Sequence, residues 1–166
     1  MKKLNNKGFT LIEVLAVIAI IAILGLIAVP GVLNSINNGK KSSYNIMVSN
    51  IKTASQSLYE EVDYMNGKVY NYNDSGTKTA TLVKITNSKI TLNLQTLVSN
   101  GYLKGTTSEK EGEKILILIN PVDGQNIGSC QITITKETNQ STGKVNYKIE
   151  SDSTSNSSCP KTNEYK

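Results

Sequence analysis

The 166-residue chain contains no histidine, no tryptophan and no arginine. Without histidine, no side chain titrates between about pH 5 and 8 at its ordinary value, and the commonest general base and metal ligand is missing. Without arginine there is no planar fork for bidentate contact with a phosphate or a base edge. The formal charge of +5 is therefore not a nucleic-acid footprint, and most of the excess sits in Lys2, Lys3 and Lys7. Cysteine occurs only at Cys130 and Cys159, too far apart for the paired spacing of a zinc site. The acidic cluster Glu60, Glu61 and Asp63 reads as a solvated helix face. Asp123-Gly124-Gln125-Asn126 is oxygen-rich but offers one carboxylate, so it reads as an ordinary turn and not as a calcium loop. These shortages leave no catalytic constellation and imply no cofactor and no metal; an enzyme is not expected.

What the chain does have is a long apolar run. From Phe9 to Val29, about 20 residues, Glu13 is the only charge. At about 1.5 Å per residue a helix of that length spans roughly 30 Å, the thickness of a bilayer's hydrocarbon core. Three lysines ahead of it keep that end cytoplasmic by positive-inside logic, so the C-terminal domain is exported. A secretory signal has an apolar region of about 7–15 residues and a small-residue cleavage site after it. This run is longer, and Ala28-Val29 is followed by Pro30. A plain signal anchor explains the length but neither Glu13 nor Gly8-Phe9. A carboxylate inside a membrane helix marks a functional site that needs a partner. If the chain is cut between Gly8 and Phe9, the new amino group lies four residues before Glu13, at the i, i+4 spacing of a helical ion pair.

Lys7-Gly8-Phe9-Thr10-Leu11-Ile12-Glu13-Val14-Leu15, with the run that follows and Pro30, resembles the prepilin signature of type IV pilins and of the pseudopilins of type II secretion and competence systems. The resemblance is strong over residues 2–33 and weak beyond about residue 65. It implies cleavage after Gly8 by a prepilin peptidase, N-methylation of Phe9, and an assembly role for Glu13 through the N-terminal amine of the same or an adjacent subunit. Pro30 belongs to the same assembly helix. The implied partners are other pilins in a helical filament, the peptidase, an assembly platform with its ATPase machinery, and the membrane that holds one span. The implied location is the cytoplasmic membrane for the precursor and an extracellular pilus afterwards.

The remaining chain reads as α+β. Residues 1–8 form the leader, 9–33 the transmembrane and assembly helix, 34–65 its amphipathic continuation, and 66–166 a globular domain. Pro30-Gly31 predicts a kink, and Asn37-Asn38-Gly39 predicts a frayed stretch over Asn34–Lys41. Tyr44, Val48, Ile51, Ala54, Leu58, Val62 and Met65 then recur at spacings of three and four, the stripe of a helix with one face to bury. Asn66–Thr81 reads as a loop, Leu82–Ile85 with Lys89–Leu92 as a short hairpin, and Asn93 as the N-cap of a helix ended by Gly101. Thr106–Lys114 reads as a solvated loop and Ile115–Ile119 as a buried strand. Alternation over Cys130–Thr135 and Val145–Ile149 predicts a hairpin across Thr138–Gly143 with Cys130 facing inward. The expected whole is a long helix packed on an antiparallel sheet of three to five strands.

Two cysteines in an exported domain read first as one disulfide, with two buried free thiols as the alternative. A bridge would contribute roughly 3–4 kcal/mol in the chain-entropy view. The resemblance places it at a disulfide-bounded C-terminal region. Asn73-Asp74-Ser75, Asn139-Gln140-Ser141 and Asn156-Ser157-Ser158 match a glycosylation triplet that is frequent by chance. Three functions stay open: a pilin of a surface filament, a pseudopilin of a transport apparatus, and a membrane-tethered binding protein using Tyr70 and Tyr72.

Overall fold

In the computed structural model the described residues are 9–65, 69–73, 76–110, 112–152 and 158–161. Helix α1 runs over Leu11–Met65 with Pro30 inside it. The chain divides into two compact units, Met1–Lys40 and Lys41–Lys166. Neither Pro30 nor Asn37-Asn38-Gly39 interrupts the helix, so the frayed stretch expected at Asn34–Lys41 is corrected to regular helix. A helical glycine costs only about 1 kcal/mol, and a segment flanked by helix on both sides needs no new nucleus.

The second unit has an ordinary core. Met47, Val48, Ile51, Ala54, Leu58, Tyr59 and Val62 form the buried stripe of α1, close to the predicted one. Each fully buried large aliphatic side chain there is worth about 1.5–3 kcal/mol. Among the described residues three antiparallel sheets accompany it. Strands β1 (Tyr70–Tyr72) and β2 (Lys78–Leu82) make one hairpin, and β4 (Thr106–Lys110) with β5 (Glu113–Ile117) another. Strands β3 (Lys89–Asn93), β6 (Gln131–Thr138) and β7 (Val145–Asp152) form the main sheet in the order β3-β6-β7. Its register aligns Ile90, Ile134 and Ile149 on the inner face and Thr91, Thr133 and Glu150 on the outer.

Four sequence expectations are corrected here. Asn66–Thr81 is not all loop, because β1 and most of β2 lie in it. The hairpin expected from Leu82–Ile85 and Lys89–Leu92 shrinks to a bridge between Thr86 and Lys89, while β3 pairs with β6. Thr106–Lys114 supplies β4 and the start of β5. Ile115–Ile119 is not a fully buried strand: Leu116 is 48 % exposed and only Leu118 is buried, since a two-stranded hairpin has a single neighbour to cover it.

Helix α2 (Leu94–Ser99) starts where expected, but Asn93 makes no side-chain capping bond. The first two helical amides instead reach the chain before β6, with Leu94 N donating to Cys130 O and Gln95 N to Gly128 O, both at 2.9 Å. At the other end Tyr102 N donates to Leu97 O and Gly101 N to Val98 O, with Gly101 at φ +84°. That double bond pattern is the Schellman stop that a glycine in the left-handed region permits.

Candidate functional site

The head of α1 is closed by its own residues. Glu13 Oε2 accepts from Thr10 N and from Thr10 Oγ1, both at 2.8 Å. Glu13 N in turn donates to Thr10 Oγ1 at 3.4 Å and to Thr10 O at 3.1 Å. Thr10 is thus the N-cap and Glu13 the third helical residue of a capping box, which satisfies amides that a helix start leaves without partners. The carboxylate also lies at the positive end of the helix dipole. In the sequence Thr10 enters only as part of the prepilin signature, and its Thr-x-x-Glu spacing to Glu13 is the signal that marks it as a cap.

Phe9 is 87 % exposed, and Leu11, Ile12 and the aliphatic residues onward to Ile36 are exposed as well. This is the one helix among the described residues long and apolar enough to cross a membrane, and its most apolar stretch is wholly unburied within the chain. Pro30 sits on this exposed stretch. Gly8 and the rest of the leader lie outside the described residues.

Cys130 and Cys159 are joined by a disulfide with a Cα–Cα distance of 5.7 Å. The acidic cluster is the solvated face that the sequence predicts at Glu60 and Asp63, which are exposed, while Glu61 is half-buried, and the three also reach partners on later segments. Glu61 Oε2 accepts from Tyr102 OH at 2.5 Å, Asp63 Oδ2 pairs with Lys136 Nζ at 2.7 Å, and the Glu60 carboxylate lies near enough to act on the Tyr147 hydroxyl. Tyr59 lies buried among them, its ring 5.3 Å from that of Tyr147. Burial raises the hydroxyl pKa of Tyr59, Tyr102 and Tyr147, and the Glu61 and Glu60 carboxylates raise the latter two further. The hydrogen bond to Asp63 raises that of Lys136.

The oxygen-rich turn is committed to its own backbone. Asn120, Asp123 and Asn126 accept from the amides of Val122, Gln125 and Gly128 through their side-chain oxygens. Among the described residues no group of three or more histidines, cysteines and carboxylates could hold a metal. Tyr70 carries Lys78 Nζ 3.4 Å above its ring, a contact within the β1–β2 hairpin, and the amide of half-buried Tyr72 donates to Thr96 Oγ1, which ties that hairpin to α2.

Residues 3–29 match the prokaryotic N-terminal methylation motif. That segment is characteristic of the precursors of type IV pilins and pseudopilins, a structural class of membrane-anchored proteins and not an enzymatic one. The match covers the leader from Lys3 on, Glu13 and the whole apolar run to Val29; it does not extend into the globular unit. No curated protein and no solved structure matches the chain.

Proposed function

We propose that this chain is a structural subunit of a type IV pilus-like surface filament. The observation that carries the proposal is the coincidence of a methylation motif with an apolar helix that the chain's own fold leaves uncovered. The precursor is held by one span, with the leader inside and the domain outside. A prepilin peptidase cuts after Gly8, whose missing side chain opens the bond to attack at the membrane face, and Phe9 is methylated on its new amine. An assembly platform and its ATPase then move subunits from bilayer to fibre. There the bilayer's role passes to neighbouring copies, whose apolar helices pack side by side. Such contacts are head-to-tail and do not close, so they grow a helical fibre. Glu13 in that setting is an unpaired charge among apolar helices unless a cation meets it, and the amine of Phe9 is the one that processing creates.

Mass spectrometry of protein from sheared surface fibres tests the processing. The mature chain is expected to begin at Phe9 with one added methyl group, and Gly8→Val is expected to stay uncut and unassembled. Fibres built from chains that keep Met1 would overturn the proposal. A pseudopilin carries the same motif and the same processing. Electron microscopy separates the two, because a pilus subunit dominates long sheared fibres and a pseudopilin does not.

A further inference from the structure

Cys159 is bracketed on both sides by side chains from other elements. The carbonyl of Ser158 accepts from Asn120 Nδ2 at 2.9 Å, and that of Pro160 accepts from Ser151 Oγ. Asn120 belongs to the turn before Ile127, and Ser151 lies at the end of β7. Asn120 is only 5 % exposed, and each of its polar groups is used. Its amide donates to Gln125 O, its carbonyl accepts from Gly124 N, and its Oδ1 accepts from Val122 N. Those three bonds are internal to the turn, and the one to Oδ1 orients the side chain with Nδ2 toward Ser158. Undocking residues 158–160 breaks both hydrogen bonds, to Ser158 and to Pro160, and exchanges them for bonds to water. The two sulfurs meet beneath this bracket, with Cys130 1 % and Cys159 3 % exposed.

We infer that Asn120 and Ser151 are positioning residues for the disulfide. They seat residues 158–160 on the folded unit by hydrogen bonds of their own, hold Cys159 over Cys130, and screen the finished bridge from external thiols. The inference does not depend on the filament proposal. Its chemistry is thiol–disulfide exchange with a small disulfide such as oxidised glutathione. One cysteine thiolate attacks a glutathione sulfur and expels a glutathione thiolate; the second cysteine then attacks the mixed disulfide and expels the other. The chain loses two electrons and two protons, and two glutathione thiols are formed. Holding the second cysteine in place raises its effective concentration in the closing step and so shifts the equilibrium toward the bridge.

The test is the redox equilibrium of the full chain in glutathione buffers, read by mass spectrometry after acid quench, with circular dichroism to verify folding. Asn120→Ala and Ser151→Ala together are expected to favour the reduced form by about tenfold or more, or about 30 mV. An unchanged equilibrium in folded variants would overturn the assignment. A second measurement needs no variant: dithiothreitol should reduce the bridge at least about tenfold more slowly in the native chain than in urea, because attack requires the segment to lift. Equal rates in the two would overturn the screening role.

Discussion

At the level of single residues, Glu13 has two uses that substitution can separate. In the isolated chain it caps its own helix through Thr10; in the proposed fibre its charge meets the amine of Phe9. Glutamine keeps an acceptor at the capping position and removes the charge, whereas valine removes both. Glu13→Gln and Glu13→Val should therefore both be inserted and cleaved normally, and both should lower the yield of sheared fibres by roughly tenfold or more. A buried ion left without its partner costs about 3–5 kcal/mol, ample for such a loss. Wild-type yield from Glu13→Gln would reduce the carboxylate to a cap. The three tyrosines around the end of α1 give a pH prediction. Their raised values mean that the folded chain holds these protons more tightly than the unfolded chain. Their contribution is complete below the unfolded tyrosine pKa of about 10 and is lost as pH climbs through the folded values. Melting temperature should hold steady with respect to these groups through neutrality and fall above about pH 10. Tyr102→Phe should cost about 1 kcal/mol at pH 7, from the lost bond to Glu61, and should soften the alkaline fall. Circular dichroism melts across pH 7–11 would measure both. None of these partnerships was legible in the sequence, because Tyr102, Lys136 and Tyr147 come from three separate later segments.

Among the elements, those with a strong period were legible and those held by pairing alone were not. The stripe from Val48 to Val62 repeats at helical spacing, and Cys130, Ile132 and Ile134 alternate, so α1 and β6 could be placed and faced from sequence. The strands Tyr70–Tyr72, Lys78–Leu82 and Thr106–Lys110 carry the asparagine, threonine, lysine and tyrosine of loops. Their order comes from backbone partners that composition does not announce. The capping box is hidden for a different reason: in an apolar helix Glu13 reads first as a charge needing a cation, and its second partner, the hydroxyl three residues before it, is uncharged. The bridge between Thr86 and Lys89 offers an element-level test. Its two central residues, Asn87 and Ser88, both have positive φ, at 52° and 59°. Two amide–carbonyl bonds join Thr86 and Lys89 across them, the form of a type I′ turn. Asparagine tolerates this region and serine does not, so Ser88→Gly should relieve strain worth more than the added entropy of glycine. The expected gain is about 0.5–1 kcal/mol. It should appear as a higher urea midpoint with unchanged slope, and a lower midpoint would contradict it.

The molecule as a whole separates an exposed apolar segment from a unit that holds the entire buried core among the described residues. Every buried hydrophobic residue among those described lies at Met47 or beyond, while the exposed aliphatics concentrate before Ile36. The division between Lys40 and Lys41 falls between those two populations. Stability and assembly should accordingly be separable in the laboratory. A chain beginning at Lys41 retains Ser42 and Ser43, either of which can cap the shortened helix. It also retains the whole stripe that packs in the core. Such a chain should fold without detergent, remain monomeric on size exclusion, and melt within a few degrees of the detergent-solubilised full chain. It should form no fibres, since the surface proposed to join copies has been removed. The full chain in water without detergent should aggregate, because an apolar face of this length has only lipid or other copies to cover it. Comparing the two chains by thermal circular dichroism and size exclusion measures the separation directly. A truncated chain that is unfolded would mean that residues 1–40 contribute to the stability of the domain. One that still polymerised would move the assembly surface out of the apolar helix and into the exported unit.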